Sequence, residues 1–430
     1  MPSGLRWCAP ELPAPGRMKC NYDMNRRSLI FLTAALAAFS ACGPKAVPIA
    51  PQVTVFENYS TGVPYRIPAI DQNRRGELVA LADYRYCHSD IGFGAIDLHM
   101  AFSSDLGAGW TAPELMAAGD STLAGNEFNY AFGDPSIVAD RRSDEVLCMS
   151  CGGHVPWYLS KRDSLQSPVR HRSHDGGHTW EKAEDMAEAV YSLFDGREAG
   201  PAQGIFFTSG RMCQSRQIKV GKYYRIYTAI PTRPGGTYVL YSDDFGEEWK
   251  VLGSIDAPPS ATADESKCEE LPDGNVLLSV RKPGARGFNV FTYTDREKAE
   301  GSWGNDVNAT AMNGVNACNG ALLLVPARRV SDGRKVRLAL QSITFQRSRT
   351  DVGVFFKELT GADSYDESED FAEGWQKGIR LSDHSSAYSD LVLLRDGTVG
   401  AFWEDGLRED GFDLIYRRLT VSDITGGLYR

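Results

Sequence analysis

Arg66 stands in the run Tyr65-Arg66-Ile67-Pro68-Ala69-Ile70, an apolar, strand-like stretch interrupted by a cation and a proline. Proline gives no donor to a β-ladder, so the run reads as an edge or first strand. It also restricts its predecessor, so Ile67 is expected to be extended. A guanidinium on so stiff a backbone is either a surface group with its stem on apolar neighbours or a fixed fork for a carboxylate, gripped through two parallel hydrogen bonds. Two more arginines border strand-like runs: Arg281 ends "NVLLSVR", and Arg349 opens "RTDVGVFFKEL", with Arg347 two residues earlier on the same face. Carboxylates suited to proton transfer occur in "DESKCEELPDG" (Glu265, Glu269, Glu270) and in "ADYRYCHSDIG" (Asp83 and Asp90, with His88 between them). Glu269 and Glu270 lie nearer the turn and read as solvated, and His88 reads as a loop histidine that shapes a pocket. Tyr388 precedes a strand in "SSAYSDLVLLRDGTVGAFWED". Cys148-Met-Ser-Cys151 is a lone C-x-x-C without the second pair that zinc needs, and alternation puts it in a strand as buried free thiols.

The elements that must carry these residues are short strands. The pattern S-x-D-x-G-x-x-W recurs as "SSDLGAGW" from Ser103, "SHDGGHTW" from Ser173 and "SDDFGEEW" from Ser242, with weaker copies "SEDFAEGW" ending at Trp375 and "TDREKAEGSW" ending at Trp303. Each describes a hairpin turn: the aspartate accepts from backbone N–H groups, glycine supplies a positive φ, and tryptophan packs beneath. Turn-then-strand units such as "LPDGNVLLSVRK" and "LRDGTVGAFWEDG" recur as well. Helical periodicity is weak. A fixed-period turn motif among many short strands predicts an all-β, six-bladed β-propeller of about 65 residues per blade, with an open sandwich array as the alternative.

Together with the Y-R-I-P run, these turns resemble the Asp-boxes of sialidases, and over about residues 55–425 the chain resembles the bacterial exo-α-sialidases of glycoside hydrolase family 33. The resemblance implies that Arg66, Arg281 and Arg349 clamp the carboxylate that sialic acid carries on its anomeric carbon. An ionised nucleophile would be repelled there, and sialidases depart from the usual carboxylate pair by using a tyrosine. The matching positions are Tyr388 as nucleophile, Glu265 as its base and Asp90 as acid/base on a loop closing over the substrate. Arg85 resembles an arginine at the pocket edge. Asp134 in "FGDPS" resembles a wall residue holding Arg66 or a sugar hydroxyl, and Gln203 in "GPAQGI" resembles a rim residue facing the glycerol tail. The "YCHS" stretch departs from commoner members and leaves the lining of the N-acyl pocket open. The Asp-box aspartates are read as structural. The implied activity is retaining release of terminal sialic acid from glycoconjugates, without metal or organic cofactor, by a monomer. The alternatives are sialyl transfer or release of an internal anhydro product, hydrolysis of a related 2-keto-3-deoxy acid sugar, and a propeller that only binds acidic glycans.

Composition is that of an ordinary soluble globular chain. The chain has 430 residues, 42% hydrophobic and 24% charged, with a net charge of -10 that disfavours a nucleic-acid partner. "MNRRSLIFLTAALAAFSACGPK" pairs Arg26-Arg27 with a short apolar run and small residues ending at Cys42, which reads as a secretory signal of lipoprotein type. Residues 1–45 are therefore expected to be a leader, with the mature chain starting at Cys42, and residues 46–430 the propeller. The expected location is periplasmic or at the outer membrane or cell surface through a lipid anchor, with simple secretion as the alternative.

Overall fold

The computed structural model describes residues 49–58, 62–123, 127–315, 318–361, 364–408 and 411–430, so the expected leader lies outside the described residues. From Pro48 onward the chain is one compact unit. It is built from six sheets, each running outward from an innermost strand and antiparallel except where Gly210–Arg211 lies parallel to Phe132–Ala139. The prediction of a six-bladed β-propeller is borne out. In chain order the innermost strands are Tyr65–Gln72, Phe132–Ala139, Cys213–Val220, Ser266–Glu270, Leu322–Arg328 and Ser386–Leu393.

Burial explains the apolar runs. Every residue of Leu78–Tyr84, the second strand of the first blade, is buried, because a blade packs against a neighbour on both faces. One cluster joins Val138 and Leu147 of the second blade to Ile226, Leu240 and Trp249 of the third. Another joins Leu338 and Val354 of the fifth blade to Leu391 and Trp403 of the sixth. The sixth blade is closed by the other end of the chain: Val53–Phe56 pairs with Gly411–Leu419 as its outermost strand.

The recurrent turns behave as read. Asp105 Oδ1 accepts from Gly109 N at 2.8 Å and Ser103 Oγ accepts from Gly107 N at 2.8 Å. The same pattern recurs at Asp175 with Ser173 and at Asp244 with Ser242. These turns link the third and fourth strands, at the end of the propeller opposite the starts of the innermost strands. "SEDFAEGW" is the exception: with Ala372 in place of glycine, Ser368–Ala372 forms a short helix instead of a tight turn. Cys148 and Cys151 lie in the strand Val146–Gly152 as buried free thiols. Among the described residues no helix is long and apolar enough to cross a bilayer, and no group of three or more His, Cys, Asp or Glu is placed to hold a metal ion.

Candidate active site

The starts of the innermost strands surround a cavity of about 240 Å³ lined by Arg66, Arg85, Asp90, Asp134, Glu265, Arg281, Arg349 and Tyr388. Eight of the nine residues singled out from the sequence thus meet in one depression. Three guanidinium carbons gather around a single ring: those of Arg349, Arg66 and Arg281 lie 5.5, 5.7 and 6.0 Å from the centroid of Tyr388. Arg349 lines the cavity and Arg347 does not, nor does His88.

Tyr388 Oη donates to Glu265 Oε2 at 2.7 Å. Arg281 Nη1 bonds the same carboxylate oxygen, lies 3.2 Å from Tyr388 Oη, and reaches Asp264 Oδ1 at 3.3 Å. Burial pushes the Glu265 carboxyl above its ordinary range, and Arg281 pulls against that shift. Burial, reinforced by the charge on Glu265, raises the Tyr388 hydroxyl well above 10, so it is a neutral phenol with its proton already aimed at a base.

Arg66 is held by a residue the sequence reading missed. Glu404, fully buried on the second strand of the sixth blade, receives Arg66 Nε at 2.6 Å and Nη2 at 3.1 Å, Ile67 N at 2.9 Å and Tyr388 N at 3.1 Å. Four donors saturate a carboxylate. Burial alone would push Glu404 upward, but the Arg66 charge and these bonds hold it below the ordinary carboxylate range. Asp134 therefore does not hold Arg66, as one reading had it. Ile67 is not extended either: its φ is +62°, within a bulge between Arg66 and Ala69. The preference imposed by Pro68 is overridden because this conformation turns the Ile67 N–H onto Glu404. A β-branched residue there stores strain of roughly 1–3 kcal/mol.

The second blade repeats the device. Asp134 precedes Pro135, has φ +54°, sits in a bulge between Gly133 and Ser136, and donates its N–H to Asp83 Oδ1 at 2.9 Å. Asp83, on the second strand of the preceding blade, also grips Arg85 Nε and Nη2 at 3.0 and 2.7 Å. Arg85 is buried and further faces Asp90 Oδ1 at 3.2 Å and Asp134 Oδ1 at 3.6 Å. Three carboxylates thus share one guanidinium. Burial, with the charges of Asp90 and Asp83, raises the Asp134 carboxyl well above its ordinary value. The Asp90 side chain is 62% exposed, on the segment between Leu78–Tyr84 and Asp97–Ser103.

Two expectations are corrected. Gln203 does not line the cavity: its carboxamide accepts from Arg162 N and donates to Pro201 O. The cavity wall carries Gln166 instead, among Pro156, Trp157 and Phe206. Glu269 and Glu270 are buried rather than solvated, bonded to Arg211 Nη2 at 2.8 Å and to Arg216 N at 2.7 Å respectively. Their strand is innermost, so a position near its turn still faces protein.

Of the three clustered arginines, Arg66 and Arg281 have carboxylate partners; Arg349 has none among the described residues. The cavity thus offers, among the described residues, a guanidinium without a carboxylate partner beside a phenol–carboxylate pair, and it is also lined by the Arg85, Asp90 and Asp134 cluster.

No family model matches the chain. It is 26% identical over 420 residues to the sialidase of Micromonospora viridifaciens, an alignment covering 91% of this chain and 60% of that protein. In fold it is similar to the Hadza microbial sialidase Hz136, with TM-score 0.67, 19% identity, and coverage of 87% of this chain and 69% of that one. It is also similar to the intramolecular trans-sialidase from Ruminococcus gnavus, solved with oseltamivir carboxylate, with TM-score 0.65, 15% identity, and coverage of 84% and 95% respectively. The chain thus spans about three-fifths of the length of the Micromonospora relative.

Proposed function

We propose, from the likeness to bacterial sialidases and the geometry of the cavity, that this chain is a retaining exo-α-sialidase. The observation that carries the reading is the convergence of three guanidiniums on a tyrosine whose hydroxyl is already donated to a buried glutamate. A sugar carboxylate entering the cavity meets Arg349, which has no carboxylate partner among the described residues, and the outer faces of Arg66 and Arg281. Their grip places the anomeric carbon over Tyr388 Oη. Tyr388 Oη attacks that carbon as its proton passes to Glu265. The bond to the leaving oxygen breaks, and Asp90 supplies the proton which that oxygen needs. Water then attacks the same carbon, gives its proton to Asp90, and releases Tyr388, which recovers its proton from Glu265. Two displacements at one carbon give retention. The Asp90 side chain is exposed, and closure of its segment over the substrate would complete the site.

The test is turnover of α2,3-, α2,6- and α2,8-linked sialosides beside a 2-keto-3-deoxy acid glycoside, with products identified by NMR. Free α-sialic acid as the first product supports the proposal. Binding without turnover, or turnover of the keto-acid glycoside alone, overturns it, and an anhydro product or sialylated acceptor replaces hydrolysis by transfer.

The acid role predicts a split. Asp90→Asn is expected to lower kcat/KM by roughly 10²–10⁴-fold on a natural glycoside and far less on an aryl sialoside whose leaving group departs unprotonated. Equal losses on both would remove Asp90 from that role. The signal-like segment ending at Cys42 supports export and lipid anchoring, which mass measurement of the mature N-terminus would decide.

A further inference from the structure

A second cavity, of about 340 Å³, lies at the other end of the propeller axis and plays no part in the mechanism above. The candidate active site occupies the starts of the innermost strands. This cavity takes in the far ends of Tyr65–Gln72, Phe132–Ala139, Ser266–Glu270 and Ser386–Leu393, while the third and fifth blades contribute Arg216 and Leu323. Every blade therefore reaches it. Four guanidiniums line it, those of Arg141, Arg211, Arg216 and Arg395, against two carboxylates, Asp71 and Glu269. In a chain with a net charge of -10, that is a local surplus of two positive charges.

The surplus is not absorbed by local pairing. Arg211 Nη2 and Glu269 Oε2 lie 2.8 Å apart and neutralise each other. Asp71 receives the backbone N–H groups of Gln72 and Ala139, both at 2.8 Å. Arg141, Arg216 and Arg395 have no carboxylate partner among the described residues, and two of them are held by backbone instead. Arg141 Nη1 donates to Gln214 O at 2.8 Å and Nη2 to Ser215 O, with its guanidinium carbon 5.2 Å from the centroid of the Tyr224 ring. Arg395 Nη2 donates to Asn73 O at 3.0 Å and to Arg74 O. Carbonyls fix the direction of a guanidinium without cancelling its charge. The Arg216 side chain is exposed and makes no hydrogen bond among the described residues. Burial and the charge of Arg216 both lower the Arg141 guanidinium, a repulsion that a bound anion relieves.

We infer that this axial cavity is a binding site for a doubly charged oxyanion, a phosphate either free or as a monoester. Guanidinium forks match phosphate oxygens in pairs, and a phosphate monoester carries close to two negative charges at neutral pH. That charge meets the surplus of the lining, whereas a lone carboxylate or chloride meets half of it. The walls are protein on every side, which concentrates the field of the arginines in the opening. Because Arg141 and Arg395 are already ordered, less freedom is lost when the anion arrives. The cavity is larger than the 240 Å³ of the candidate active site, so it has room for the group a monoester carries.

The test is isothermal titration calorimetry with inorganic phosphate and with glycerol 3-phosphate, near neutral pH and in about 0.15 M salt to screen looser surface attraction. The unaltered protein is expected to bind a single equivalent. Arg216→Gln should weaken binding about tenfold, the loss of one charge-assisted hydrogen bond, and Arg216→Gln combined with Arg395→Gln should abolish it. Should the double variant not fold, Arg216→Glu replaces it, since the Arg216 side chain has no hydrogen bond to lose. The arginines around Tyr388 also attract oxyanions, so Arg349→Gln is titrated in parallel and should leave the affinity unchanged. Tighter binding of glycerol 3-phosphate places the ester group in the cavity, and equal or weaker binding confines the site to the free ion; both support the inference. No binding of either probe overturns it. So does binding lost in Arg349→Gln but kept in the double variant, or binding that no variant moves, which would mean an adventitious ion only. None of these outcomes depends on the sialidase reading.

Discussion

Tyr388→Phe is expected to lower kcat/KM for an aryl sialoside by on the order of 10⁴-fold or more, with Tm shifted by only a few degrees. The substitution deletes one oxygen and leaves the ring beneath the three guanidiniums. On the proposed reading substrate binding rests on charge pairing with the arginines, and it should therefore survive while the first displacement is lost. Glu265 keeps Arg281 as a partner, so no buried charge is stranded and stability has little reason to fall. Stopped-flow turnover alongside equilibrium binding of sialic acid separates the two effects. Turnover within tenfold of the unaltered protein would exclude Tyr388 as nucleophile. Loss of binding and turnover together would assign it to the clamp instead.

Glu404→Gln is expected to destabilise the protein by about 3–5 kcal/mol, because it leaves the Arg66 guanidinium in the protein without a counter-charge. An amide also offers one acceptor atom to donors that now share two: Arg66 Nε, Arg66 Nη2, Ile67 N and Tyr388 N. Arg66 and Tyr388 should therefore loosen together, raising KM and lowering kcat. The sign of the pH dependence follows from the shift. The folded carboxyl is depressed below its ordinary value of 4.5, so its stabilisation is present in full above that value. It fades as pH falls through the lower, folded value. Denaturation measured from pH 7 downward should show the stability gap between the two proteins narrowing below about pH 4.5. A gap that stays constant into acid would mean that Glu404 acts by packing alone.

Much of the site was legible through the resemblance of its motifs to those of sialidases, because side-chain chemistry and strand patterning survive in one dimension. Arg66, Arg281 and Arg349 each border a run whose alternation marks a strand, and the turn motif gives blade number and direction. Glu404 was not legible: in "AFWEDG" it looks like an acid approaching a turn, and its partners Arg66 and Ile67 lie 338 and 337 residues away. A signal did exist. R-I-P and G-D-P are the same strand-start device in consecutive blades, each bulge N–H seeking a carboxylate from the second strand of the blade before it. Gln203 was misplaced because glycine and proline locate a loop without saying which way its side chains turn. Glu269 and Glu270 were misread because solvation was inferred from nearness to a turn, whereas position on an innermost strand decides it.

The closing of the sixth blade by Val53–Phe56 bears on how such a protein is born. Its first strand must wait, unpaired, through the synthesis of more than 350 residues, until Gly411–Leu419 arrives to take it. Tyr388 and Glu404 lie on the two preceding strands of the same blade, Ser386–Leu393 and Val399–Arg408, so a nascent chain lacks the complete candidate site until its last hundred residues or so have emerged. The candidate site and the ring are completed together. A cut that frees the seam should extinguish both together, long before the other five blades come apart.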